Sequence, residues 1–459
     1  MLSEKILTRV VKVMAKRKLA MKPNTERFMP EADPNRKYML YMHVPFCQVL
    51  CPFCSFNRYP FREEIARPYY EHMRKEMLML KDLGYDFESI YVGGGTPTIM
   101  IDELCETLDV AREHFSVKEV GVETNPNHLI TPYLEKMKGR VQRLSVGVQS
   151  FDNGLLKQMD RYRKYGSGEE ILERLAEAQD YIDSINVDMI FNFPNQTEEI
   201  LRKDIEIIKN CGARQTTFSP LYVSNGTIKK MKRSLGKVDY SREYQYYQIL
   251  DDALAGGANP VFERSTLWTF TRIDDTSVAA LDPDHIDEYQ TNYVDYPAIG
   301  SGSITHLKDA LYVNTFSIRD YNKIIDEGRM SMMGKAVLSK KDLMRYHFLL
   351  NLYKLRLDKH AFEEEFGVSV DKGLFLEMAF MRLNGAFATD NADELTLTQK
   401  GRYLVVVLYR QFLSGMNNLR EQAREALSGD EKVLLFGDED SACGVNGEAC
   451  FSKEDVFAS

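Results

Sequence analysis

No run of eighteen or more apolar residues occurs in this 459-residue chain, so no segment has the length and hydrophobicity of a membrane-spanning helix. Basic charge is not in excess: 59 Lys and Arg face 68 Asp and Glu, a formal net charge of −9. A general nucleic-acid binder presents a broad basic surface, and this balance argues against one. Cysteine is scarce, with seven residues spread unevenly, and no secretory signal is visible. A disulfide framework is therefore not expected, and a reducing cytoplasm is the simplest compartment. No internal repeat is visible. What is present is ordinary in bulk, 44% hydrophobic, 28% charged and 11% aromatic, which sets aside wholesale disorder. The length exceeds what one core supports, so at least two domains are expected.

The first 22 residues carry seven Lys or Arg against one Glu, with Ile6, Val10, Val13 and Met14 at helical spacing. Two readings stay open, a helix resting on an anionic membrane surface or a helix packed on its own domain. From residue 37, "YMLYMHV", "SIYVGGG", "EVGVETN", "RLSVGVQ", "INVDMIF" and "TTFSPLYV" are strand candidates, separated by amphipathic stretches at 65–83, 101–115, 168–181 and 197–209. That is the rhythm of βαβ units, and it predicts an α/β fold, a partial or full (β/α) barrel. Active residues of such barrels gather where strands end. Here those ends carry a cysteine cluster, "GGGTP" (93–97), "ETNP" (123–126), "GVQSF" (147–151) and "DMIFNFP" (188–194). The expected division is a basic amphipathic segment (1–36), a barrel core (37–236), a core extension (237–338), a helical domain with a small β element (339–427) and a mobile tail (428–459).

The cluster lies in "HVPFCQVLCPFCSF" (43–56), which places Cys47, Cys51 and Cys54 among apolar Val44, Phe46, Val49, Leu50, Phe53 and Phe56. A structural zinc site is closed by four ligands, and no second Cys or His pair accompanies these three. Zinc is disfavoured, although His43 is available as a fourth ligand. Three thiolates on a cubane iron–sulfur cluster leave one iron open to a substrate or cofactor, and apolar neighbours tune its potential by excluding water. Cys105 lies within a helical pattern and Cys211 just beyond one, and both read as packing residues.

The pattern Cys47-x3-Cys51-x2-Cys54 resembles the signature of the radical S-adenosylmethionine (SAM) superfamily. Within it, "YMHVPFCQVLCPFC", "GGGTPT", "ETNP", "VGVQSF" and "VDMIFNFPNQT", spanning about 38–197, resemble the branch that contains oxygen-independent coproporphyrinogen oxidase. "AIGSGSITH" (298–306) is similar to that branch's later glycine-rich turn, and 339–413 to its winged-helix-like domain. The resemblance implies a [4Fe-4S] cluster on Cys47, Cys51 and Cys54 whose open iron is chelated by SAM. It further implies cofactor contacts at Tyr41, Gly94, Glu123, Gln149, Arg161 and Asp188, with a second SAM near Phe53, Gly95 and Thr96. The residue types suit those roles. Glycines let backbone approach closely, Glu accepts from an ammonium, Gln and Asp bond ribose or carboxylate groups, and Arg pairs a carboxylate. One departure stands out: the family's oxidases carry a further cysteine two positions beyond the third, where this chain has Ser55 and then Phe56.

Two cofactor molecules would let one act as radical source and the other as methyl donor. The leading expectation is therefore a methyltransferase acting on an sp² carbon of a planar apolar acceptor, menaquinone at C8, as in the similar menaquinone C8-methyltransferases. An electron donor such as flavodoxin or ferredoxin is expected, in the cytoplasm or peripherally on the inner face of the membrane. The alternatives are a tetrapyrrole enzyme, either decarboxylating coproporphyrinogen III or opening the haem ring by methylation, and a non-catalytic haem chaperone. His43, His306 and Tyr222 are candidates for the acceptor pocket. "FNRYPF" (56–61), with Arg58, either lines that pocket or packs hydrophobically.

Overall fold

The computed structural model of the protein describes residues 22–222, 231–273, 295–425 and 427–429. Most of the basic N-terminal segment and of the expected tail lies outside the described residues. The six strands predicted from the sequence form as β1 (Tyr38–Val44), β2 (Phe87–Gly94), β3 (Glu119–Thr124), β4 (Arg143–Gln149), β5 (Ser184–Phe191) and β6 (Gln215–Pro220). They pair in parallel and in chain order: Leu40 lies opposite Ile90, Ile90 opposite Val120, Val122 opposite Leu144, Leu144 opposite Ile185, and Val187 opposite Thr216. Leu40, Ile90, Val120, Leu144 and Val187 are fully buried, as expected of strands covered on both faces.

Helices α1 (Glu63–Asp82), α2 (Ile101–His114), α3 (Gly168–Ala178) and α4 (Glu198–Asn210) run between these strands. α4 shows why they form. The Thr197 side chain accepts from the Ile200 N–H at its start, and Glu198 and Glu199 occupy the first turn, where the helix dipole favours negative charge. Leu201, Ile205 and Ile208 then recur on one buried face. α3 opens with a reciprocal capping box between Ser167 and Glu170.

The later chain builds onto the same sheet. After α5 (Glu243–Ala255), strands β7 (Phe262–Arg264) and β8 (Thr269–Arg272) add antiparallel beyond β6, while β9 (Ala298–Ile299) pairs in parallel with β1, Ala298 opposite Tyr41. The resulting order is β7-β8-β6-β5-β4-β3-β2-β1-β9. Among the described residues the two edges do not meet, so the barrel is partial rather than full. A second, four-stranded sheet of β10 (Ile304–Leu307), β11 (Ala310–Asn314), β12 (Met332–Val337) and the short strand Lys22–Pro23 antiparallel to β12 follows, with α6 (Ile318–Asp326) between β11 and β12. Glu76 of α1 ties it to the core. Its carboxylate accepts from Gly300 N–H at 2.8 Å, Tyr321 O–H at 2.7 Å and Asn314 Nδ2 at 3.2 Å.

Beyond α7 (Lys340–Tyr353) lie helices Lys359–Phe366, Val370–Gly373 and Phe375–Leu383 with a three-stranded sheet of Arg356–Asp358, Glu394–Leu397 and Phe387–Asp390, helical with a small wing. The closing helix α8 (Gln399–Glu425) returns to the core, where Tyr409 stands edge-on to Trp268 at 5.7 Å between ring centres. On the same helix Arg410 pairs with the buried Glu243 of α5, which also accepts from Tyr403 O–H at 3.1 Å. No described helix is long and apolar enough to cross a membrane.

Candidate active site

The C-terminal ends of β2–β6 and the loop after β1 surround an open cavity of about 1030 Å³, solvent at its mouth included, lined by Cys47, Cys51 and Cys54 among others. The loop is closed on itself at its base. Phe46 and Cys47 pair in parallel with Tyr59 and Pro60, and Cys54 N–H donates to Cys51 O at 3.3 Å. Phe46 is buried behind it, edge-on to Tyr69 at 5.3 Å.

Gly95 presses against this loop. Its N–H donates to Val44 O at 2.8 Å, and a Cβ there would lie 2.5 Å from the carbonyl oxygen of Phe46. Gly94 has φ +118°, and its N–H donates to Glu123 Oε2 at 2.8 Å. The glycines thus serve first to bring the cysteine loop, β2 and Glu123 together, a use the sequence reading had given to the cofactor alone. Thr96 stands just outside the cavity wall, its Oγ1 donating to Cys47 Sγ at 3.7 Å and accepting from Asn125 Nδ2 at 2.8 Å.

Opposite the cysteines, Arg161 donates from Nη1 to Cys51 Sγ at 3.4 Å and from Nη2 to Asn125 Oδ1 at 3.0 Å and to Gly147 O, with its guanidinium 4.3 Å over the Tyr165 ring. Gln149, at the end of β4, lines the cavity with a left-handed φ of +77°, a conformation costly for any residue with a side chain and typical of functional sites. Asp188 accepts from Ser145 Oγ and Asn186 Nδ2, each at 2.6 Å. Burial pushes the Glu123 carboxyl up to about 7, and the nearby Asp188 adds to the rise against the opposing Gly94 N–H bond. Phe53 forms part of the wall, edge-on to Phe193 at 5.6 Å.

Four expectations change. Tyr41 does not line the cavity; its O–H reaches His43 Nδ1 at 3.0 Å, while His43 Nε2 meets Asn57 O at 3.2 Å. With both ring nitrogens engaged and burial lowering its pKa to about 4, His43 is neither a fourth ligand nor a pocket residue. His306 is buried beside Asp295, 3.6 Å away, outside the cavity, whereas Tyr222 does line it. Arg58 sits against the cysteine loop itself rather than only along an acceptor wall. Asn125, Ser145 and Tyr165 also line the cavity and were missed. For β4 a signal existed: Arg143, Ser145, Gly147 and Gln149 place small or polar residues at every second position, the mark of one strand face turned inward.

The donor set fits an iron–sulfur cluster. Cys47, Cys51 and Cys54 are free, and among the described residues no three His, Cys, Asp or Glu side chains converge on a single-ion site. Burial pushes the Cys47 thiol up to about 12, so a bound metal centre would be needed to hold thiolate there. Residues 41–208 match the family model described as the radical SAM superfamily. This part of the chain is similar to the radical SAM family, which uses a [4Fe-4S] cluster and SAM. Cys47, Cys51 and Cys54 are the residues that would hold the cluster, and Glu123, Asn125, Gln149 and Asp188 line the same cavity, where they would meet the SAM.

Beyond residues 41–208 the likeness to known proteins covers most of the chain. An oxygen-independent coproporphyrinogen III oxidase of Helicobacter pylori is 28% identical over 81% of this chain and 85% of its own length. The heme chaperone HemW of Bacillus subtilis is 25% identical over 81% of this chain and 98% of its own. The structure of coproporphyrinogen III oxidase from Escherichia coli superposes with a TM-score of 0.69 at 21% identity, covering 83% of this chain and 91% of that one, and shows the shared fold. These relatives overturn the menaquinone methyltransferase expectation. The motifs that prompted it belong to the radical machinery common to the whole branch, and none of them touches the choice of acceptor.

Proposed function

We propose that this chain is a radical SAM enzyme acting on a tetrapyrrole, with oxidative decarboxylation of a porphyrinogen such as coproporphyrinogen III as its reaction. The likeness to curated oxidases over 81% of the chain carries this reading. When bound, the cluster and SAM, in two molecules as the resemblance implies, supply one-electron cleavage and a hydrogen-abstracting radical. A propionate side chain that gives one hydrogen atom to that radical, passes one electron to a separate one-electron acceptor and releases carbon dioxide becomes a vinyl group. The cavity wall supports such a substrate. Phe53, Phe56, Leu221 and Tyr222 offer apolar and aromatic surface, and the Arg420 guanidinium lies 5.0 Å over the Phe56 ring, a combination suited to a flat macrocycle bearing carboxylates. A low-potential donor such as flavodoxin or ferredoxin would supply the electron, in a reducing cytoplasm.

The absence of the oxidases' further cysteine at Phe56 favours a second reading, a haem-binding chaperone. Anaerobic incubation of reconstituted protein with SAM and coproporphyrinogen III, followed by mass spectrometry, separates the two. The oxidase reading expects 5′-deoxyadenosine and a product lighter by the elements of formic acid per side chain. Tight haem binding without cofactor cleavage would replace it with the chaperone.

A further inference from the structure

Arg58 holds the inside of the cysteine loop. Its Nη2 donates to Cys54 O at 2.6 Å and to Cys51 O at 3.2 Å, so one nitrogen grips the carbonyls of two of the three cysteines. Its Nε is enclosed and has no hydrogen-bond partner, and among the described residues no carboxylate pairs with it. Arg161, the other cation at this site, is spread over Cys51 Sγ, Asn125 and Gly147 O and is placed to meet the cofactor.

We propose that Arg58 is the counter-charge of the cluster, a positioning residue whose unneutralised cation stabilises the reduced state and sets the reduction potential. The physical reason is direct. One-electron reduction adds a negative charge to a group in a low-dielectric loop, where a nearby cation acts strongly. This inference rests on the radical SAM reading of the site.

The test compares wild type, R58K and R58Q after anaerobic reconstitution, by iron content and by EPR-monitored redox titration of the cluster without SAM. R58K should titrate near wild type, and R58Q should be displaced to lower potential or fail to keep its reduced cluster. An R58Q midpoint equal to wild type would overturn the proposal, as would R58K behaving like R58Q, including equal loss of iron. If wild type itself assembled no cluster, the reading of the whole site would fail instead, and the two failures are thereby told apart.

Discussion

Cys47 sits where burial keeps a thiol protonated, so the cluster and its ligands stabilise one another. Replacing Cys47, Cys51 or Cys54 singly by Ala should abolish iron retention, read as loss of the cluster's visible absorbance after reconstitution. Glu123→Gln should spare the cluster and weaken SAM binding by about 10- to 100-fold, the worth of a hydrogen bond to a charged group, measurable by calorimetry. Glu76 tests a different property. Burial raises its carboxyl from 4.5 to about 7, against the donors that surround it, so its stabilising contribution is whole below the unfolded pKa and is lost as pH rises through 7. At about 1.4 kcal/mol per pH unit, the stability of wild type relative to E76Q should fall by roughly 3 kcal/mol between pH 4.5 and 7.5, read from denaturant titrations. A constant difference would show that Glu76 does not titrate in that window. At this scale the sequence was legible where a motif fixed a residue of the cavity wall, as for Gln149 in "VGVQSF". It was silent for Tyr165 and Leu221, whose side chains reach the cavity only through the packing of their elements.

The strands of the sheet were readable because each is an apolar run buried on both faces, and their chemistry sits at the ends, where the runs break into glycine and polar residues. The two-residue ladder of Phe46–Cys47 with Tyr59–Pro60 and the two-residue β9 had no such signature, since periodicity cannot register in so short a span. Gly95→Ala probes the junction of β2 with the cysteine loop. The added methyl would meet the Phe46 carbonyl at 2.5 Å, and backbone cannot yield as a flexible side chain does. The expected cost is about 1–3 kcal/mol of stability with reduced iron retention, read by thermal melting and iron assay. An unchanged melt would mean that the glycine loop shifts freely.

Across the whole molecule, a buried ion pair between Glu243 and Arg410 helps tie the closing helix to α5. Glu243 and Arg410 are both buried, and removing either takes the opposite charge away from the other. Arg410→Met should destabilise by about 3–5 kcal/mol, with the unfolding of α8 preceding that of the sheet; a single transition at the wild-type midpoint would refute the link. Neither partner announces itself in the sequence, because the pairing joins segments far apart in the chain and follows no local pattern. The acceptor was illegible for the same reason: its wall draws on Phe53, Phe56, Leu221 and Tyr222, brought together only by the complete fold.

β9 lies beside β1 although most of the chain separates them. During synthesis β1 and the cysteine loop leave the ribosome first, and the segment that shields their flank emerges on the order of 10–50 seconds later at ordinary translation speeds. Through that interval the nascent chain presents an uncapped β1 edge, which the late strand must close by a long-range pairing.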